Sequence, residues 1–176
     1  MPTTIANKLH LTVPGSHISA KAILWAGLAA GAVFLVLELI LTPLFMGMSA
    51  WVPPRMIAAI TMGRSVLPPP DTFDTTAVSA AIVVHVVLSL AYALVFAFVA
   101  KGRSVVADTM LGAGFGLLLY LVNFYGFTLW FPWFAEARHW VSIATHLAFG
   151  AVLGATYATC AQRFARKDGH HGVAHG

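Results

Sequence analysis

"AVSAAIVVHVVLSLAYALVFAFVA", residues 77–100, contains no Asp, Glu, Lys or Arg. As an α-helix this run is about 36 Å long, enough to cross a hydrocarbon core of about 30 Å. Three other runs match it: Ala22–Met46, Val105–Phe131 and Trp140–Thr159. The chain of 176 residues is 59% hydrophobic and 9% charged, with mean hydropathy +0.83. Soluble domains carry about 25% charged residues, so most of this surface must face lipid. Lipid admits only helices and closed barrels, and uninterrupted runs of this length mean helices. An all-α, polytopic bundle of four transmembrane helices in one membrane domain is expected. The first run is too long for a signal-peptide core and lacks a small-residue cleavage site after it, so a retained helix is expected.

Basic residues set the orientation. Lys8, Lys21, Lys101, Arg103, Arg163, Arg166 and Lys167 fall on one side, and only Arg55, Arg64 and Arg138 on the other. The positive-inside rule then expects both termini in the cytoplasm of a bacterial inner membrane. Trp51, Trp130, Trp133 and Trp140 form an outer aromatic belt, with Trp25 at the inner side. The net charge of +4 follows from this asymmetry, and no basic stripe supports nucleic-acid binding. Cys160 is a lone thiol at the inner end of the fourth run, read as a small apolar residue. The tail "DGHHGVAHG" carries His170, His171 and His175 and reads as a polar tail with at most weak affinity for metal.

Residues 47–76 form the one long loop. Pro53 and Pro54 suit a helix start, so a short helix over Arg55–Met62 is expected, ended by Gly63, with Asp74 or Thr75 capping the second span. It reads either as an interfacial lid over the bundle or as a plain connector.

Each span holds one conspicuous polar residue: Glu38, His85, Asn123 and His146. Counted from the outer ends, all four lie about 12–14 Å deep at 1.5 Å per residue. Helical spacing puts Ser89 and Tyr92 on the face of His85, Tyr120 on that of Asn123, and Ser142 and His139 on that of His146. Gly27/Gly31, Gly112/Gly116 and Gly150/Gly154 are small-xxx-small pairs on the cytoplasmic side of the polar residues. A bundle tight in its inner half and open outward onto a polar pocket is expected. "GLAAGAVFLVLE" (27–38) also aligns without gaps to "GAGFGLLLYLVN" (112–123), and His85 then pairs with His146. Two tandem helical hairpins related along the membrane normal are one reading, and chance matching of Gly-rich helices is the other.

The stretches "WVPPRMIAAI", "YLVNFYGF", "FPWFAEAR" and "HLAFGAVLGATY" resemble a group of small uncharacterised proteobacterial inner-membrane proteins, similar in scale to the YagU-like proteins. The resemblance covers residues 20–160. Some members carry a sodium:proline symporter label, but true symporters of that kind have many more helices. The resemblance implies a membrane location and no particular activity.

The polar cluster admits several roles. It can be a structural network, with Glu38 hydrogen-bonded to a histidine and Asn123 bridging. It can handle protons or cations, in a homo-oligomer or as an accessory subunit of a larger membrane complex. It can be redox-active, with His85 and His146 as axial ligands of a b-type haem, or bind a metal through His85, His146 and Glu38. No spacing places a Ser or Cys nucleophile beside a base, so no catalytic residue is expected and an enzyme is the weaker reading.

Overall fold

The computed structural model describes residues 18–100 and 104–173, with side chains as far as residue 165. Four long helices dominate: α1 (Ala20–Met46), α3 (Thr75–Val99), α4 (Val105–Leu121) and α5 (Trp140–Val173), with the short α2 (Val52–Met62) between α1 and α3. All four regions are long and apolar enough to cross a membrane. The chain is a four-helix, multi-pass membrane protein.

Each long helix begins on a side-chain cap that takes up an orphan backbone N–H. Ser19 Oγ accepts from Ala22 N at 3.3 Å, Asp74 Oδ1 from Ala77 N at 2.8 Å, Ser104 Oγ from Ala107 N at 3.1 Å and His139 Nδ1 from Ser142 N at 3.3 Å. α1 stops at Gly47, whose φ of 65° is left-handed and suits glycine. α5 continues past Thr159, where the apolar run ends. Ala, Gln, Arg and Lys are good helix formers, and no Gly or Pro intervenes before Gly169. Its backbone takes in His170 and His171, whose side chains lie outside the described residues, as do all of His175, Lys8, Lys101 and Arg103.

The helices pack in the order α3–α1–α5–α4. α5 lies along both α4 and α1, α1 lies along α3, and α3 and α4 keep their backbones apart and meet through side chains such as Phe96 and Phe115. The packed faces are small. Ala22, Ala26, Ala30, Ala93 and Ala97 are buried around Phe96 and Leu153, while Val36, Leu44, Phe98, Val106 and Leu129 point outward. Lipid solvates large apolar groups as well as protein does, so tight contact comes from the small faces. A Cβ on Gly112 or Gly116 would run into the carbonyls of Gly150 and His146 respectively, and one on Gly150 would sit 2.7 Å from Gly116 N. In the other hairpin a Cβ on Gly27 would sit 3.2 Å from the Cβ of Ala93, and one on Gly31 would sit 2.7 Å from Ser89 Oγ.

Two elements cover one end of the bundle. α2 starts three residues before the expected Arg55, with Val52, Pro53 and Pro54 in its first turn. It packs Ala58 against Ala77 and Ala81 of α3, and Met56 and Ala59 against Trp133. Trp133 Nε1 donates to the Met56 carbonyl at 3.0 Å. Arg55 is buried; its Nε donates to the Thr72 carbonyl at 2.9 Å and Nη1 to that of Val66 at 3.2 Å, which ties the following loop back over α2. The Ala- and Phe-rich core lies toward the end opposite α2, beside an apolar groove between α3 and α4 lined by Phe96, Phe115 and Leu118.

The third span differs from the expected single α-helix over Val105–Phe131. α4 ends at Leu121, a π-turn follows over Val122–Gly126, then 3-10 turns over Phe127–Leu129 and Pro132–Ala137. The loosened backbone needs new partners. Arg138 Nε donates to the Phe124 carbonyl at 2.7 Å and its guanidinium lies 4.4 Å from the centre of the Tyr125 ring.

Candidate functional site

The helices enclose a cavity of about 280 Å³ in the α2 half of the bundle. Glu38, His85, Asn123 and His146 are all on its walls, together with Ser89, Tyr92, Ser142 and His139. Tyr120 is buried behind the wall, with its ring 5.8 Å from that of His146. The roof is α2, through Val52, Met56 and Ile60, so the polar side chains sit beneath a covered end.

The polar residues form three separate arrangements. In the first, His85 Nε2 lies 3.0 Å from the Gly31 carbonyl. A carbonyl only accepts, so Nε2 carries the proton. Ser89 Oγ stands 3.4 Å from the same nitrogen. The imidazole reaches the backbone of α1 because Gly31 has no side chain. A Cβ there would lie 3.3 Å from His85 Nε2.

In the second, Tyr92 donates its hydroxyl to Asn123 Oδ1 at 2.8 Å, and Asn123 Nδ2 is 3.4 Å from His146 Nε2. His146 Nδ1 is 2.7 Å from the Ser142 carbonyl and so donates to it. Nε2 is then left to accept from the Asn123 amide. The Tyr92 hydroxyl, one Asn123 N–H and His146 Nδ1 each donate in turn, and the chain links α3, the π-turn and α5. The π-turn supplies Asn123 to it and buries Phe124 beside the ring of His146 at 5.4 Å.

In the third, Thr145 Oγ1 stands 2.7 Å from Glu38 Oε1, and Thr42 Oγ1 donates to Oε2 at 3.2 Å. The expected hydrogen bond from Glu38 to a histidine is not formed. Thr145 precedes His146 on α5 and so projects from the adjacent face, where α5 meets α1. Both threonines are buried, and neither was singled out in the sequence, because an isolated hydroxyl in an apolar run carries no signal. Among the described residues no cationic side chain hydrogen-bonds the carboxyl group. His139, just outside the span, feels it at longer range. Burial pushes the His139 imidazole below its ordinary value of 6.5, and the Glu38 charge opposes that shift.

Phe34, which helical spacing puts on the face of Glu38, takes a part that the spacing does not specify. Its ring stacks on His85 at 5.4 Å and meets His146 edge-on at 5.0 Å. One aromatic ring therefore touches both imidazoles, and each Nε2 already has a protein partner. Axial ligation of one haem by both would break those bonds. Among the described residues no three His, Cys, Asp or Glu side chains gather as a metal site needs.

Burial also reaches Asp108, in the first turn of α4 at the end opposite α2, where an acid suits the helix dipole. The sequence reading had passed over it as part of an apolar run. The chain matches no family model, no curated protein and no solved structure.

Proposed function

We propose that the protein handles protons or other cations at Glu38, in a bacterial inner membrane with the α2 end facing the periplasm. The observation that carries this reading is the setting of the carboxyl group. It is on the wall of a cavity, and the two side chains that hydrogen-bond it are hydroxyls. An ion confined in a low-dielectric interior is costly without a partner. Protonation, or a bound cation, supplies one. The Tyr92–Asn123–His146 chain has a different role in this reading. Its members bond one another across three elements, which supports a latch that fixes the register of α3, α4 and α5.

The two hairpins read as copies of one unit. Supporting this, Gly27 meets Ser89 and Ala93 where Gly112 meets Gly150 and Gly154, and Gly31 meets His85 and Ser89 where Gly116 meets His146 and Gly150. Four helices are few for a transporter, so translocation across the whole membrane requires a second copy or a partner subunit. Binding and proton exchange at the cavity require neither.

Infrared titration of the purified protein tests the assignment. A carboxyl band that grows reversibly as pH falls, and is missing from Glu38→Gln, is the expected result. Identical titrations of the two proteins would remove Glu38 from proton handling.

A further inference from the structure

We infer that the cavity binds a small lipophilic organic monocation, which reaches it sideways from the membrane between α3 and α4. This rests on the reading of Glu38 as the cation-handling group and names what it takes. Among the described residues the cavity wall carries no Lys or Arg, and Glu38 is its single acid. An anionic ligand has no counter-charge there. A neutral carbonyl ligand would find the Tyr92 hydroxyl and one Asn123 N–H already engaged and no charged donor on the described wall. Glu38 is the group there that can carry a full negative charge, and it keeps acceptor capacity, since a carboxylate has about four acceptor sites and two hydroxyls occupy it.

Most of the remaining wall is aromatic or aliphatic. Phe34, Phe124, Phe127, Phe134 and Phe149 contribute rings around the acid. Ring faces attract a cation and accept its hydrocarbon substituents, a combination suited to ammonium groups carrying alkyl or aryl arms. A volume of about 280 Å³ is at the small end for ligand sites and limits the guest to roughly one ring and one ammonium head.

The route follows from helix packing. Around the bundle the backbones of α3–α1, α1–α5 and α5–α4 run close, whereas α3 and α4 are farther apart and meet through side chains, Phe96 with Phe115 and Tyr92 with Asn123 of the π-turn. Val84 and Leu88 from α3 line the cavity opposite Leu119 and Phe127, on the two sides of that wider seam. The α2 end is closed by the Trp133 bond to Met56 and the Arg55 clasp. An amphiphile dissolved in the bilayer meets the seam directly.

The test compares benzyltrimethylammonium with its neutral carbon isostere, neopentylbenzene, by calorimetric titration of the full-length protein in nanodiscs. The cation should bind saturably, and about tenfold or more weaker to Glu38→Gln, as loss of a charged partner implies. Glu38→Asp should keep most of the affinity. Leu88→Trp, at the seam side of the cavity, should slow association. Equal binding of cation and isostere to the wild-type protein overturns the inference even if Glu38→Gln fails to fold. Absence of cation binding, beside an intact Glu38 titration, overturns it and leaves the proton reading standing. Glu38-dependent binding without any titration upholds the ligand and removes the proton.

Discussion

Asn123 uses both ends of its amide, and that fixes which way round the amide sits. Oδ1 takes the Tyr92 proton at 2.8 Å and Nδ2 faces His146. Interhelical hydrogen bonds in membranes average about 0.6 kcal/mol and reach about 1.7. A double-mutant cycle of Tyr92→Phe with Asn123→Ala should therefore return a coupling of roughly 0.5–1.5 kcal/mol in steric-trapping or detergent unfolding. Additive losses would mean that the bond does not form. His139 allows a pH test, because it lies outside the spans. Its imidazole is held below 6.5 by burial, with Glu38 opposing. The unfolded chain thus binds the proton more readily, and stability from this group is complete above about 6.5 and falls as pH drops toward the folded value. Protonation at Nδ1 also ends its acceptance from Ser142 N. His139→Asn keeps a cap and should flatten that part of the acid slope, whereas an unchanged slope would show that His139 does not contribute. Glu38, His85, Asn123 and His146 were legible in the sequence because polar residues are costly in lipid and their depths coincide. Thr42, Thr145 and the contacts of Phe34 with both imidazoles were not, since hydroxyls and rings are ordinary in membrane helices. Pairing of Glu38 with Thr145 depends on the rotation of α5 against α1, which no periodicity specifies.

At the scale of elements, the α4–α5 contact is made backbone to backbone. A Cβ on Gly150 would lie 2.7 Å from Gly116 N and 2.8 Å from the Gly112 carbonyl carbon, whereas one on Gly114 would meet nothing within 4 Å. Even alanine must then separate the helices at Gly116 or Gly150. Gly116→Ala and Gly150→Ala should each lose about 1–3 kcal/mol, the usual cost of overpacking. Gly114→Ala should be neutral or gain up to about 1 kcal/mol from helix propensity. Thermal unfolding in one detergent checks all three, and equal behaviour of Gly114→Ala and Gly116→Ala would refute the contact. The small-xxx-small spacing announced these faces. It did not announce the π-turn over Val122–Gly126. One extra residue in a turn leaves the apolar run unbroken, and the feature that holds it, the Arg138 bond to the Phe124 carbonyl, comes from 14 positions away in the chain. The short helix was visible through Pro53 and Pro54, but its role as a roof depends on Trp133, far along the sequence.

For the whole molecule, the reading that decided the fold was the distribution of charge. Runs poor in charge gave the four helices, and the structure places many of their small residues inside and large apolar residues outside, as lipid requires. The wider spacing of α3 and α4 was not legible, because both helices carry apolar side chains on every face and composition does not say which faces meet. Orientation rests on the basic residues, and the structure sharpens that argument. Of the three on the α2 side, Arg55 is buried on the carbonyls of Thr72 and Val66, and Arg138 binds the Phe124 carbonyl. Both have local structural work on that side, which leaves Arg64 as the basic residue there with no such bond. The positive-inside argument counts charges near the ends of spans, and the opposite end keeps Lys21 and Arg163 among its described residues, both exposed. The α2 end should therefore face the periplasm. Ser65, beside α2, and Ser104, at the start of α4, are both exposed and suited to labelling. In a Cys160→Ala background, a membrane-impermeant maleimide added to intact cells should modify Ser65→Cys and spare Ser104→Cys until the membrane is opened. The reverse pattern would invert the protein and put the roofed cavity on the cytoplasmic side, where a ligand from the outer leaflet could not reach it through the seam.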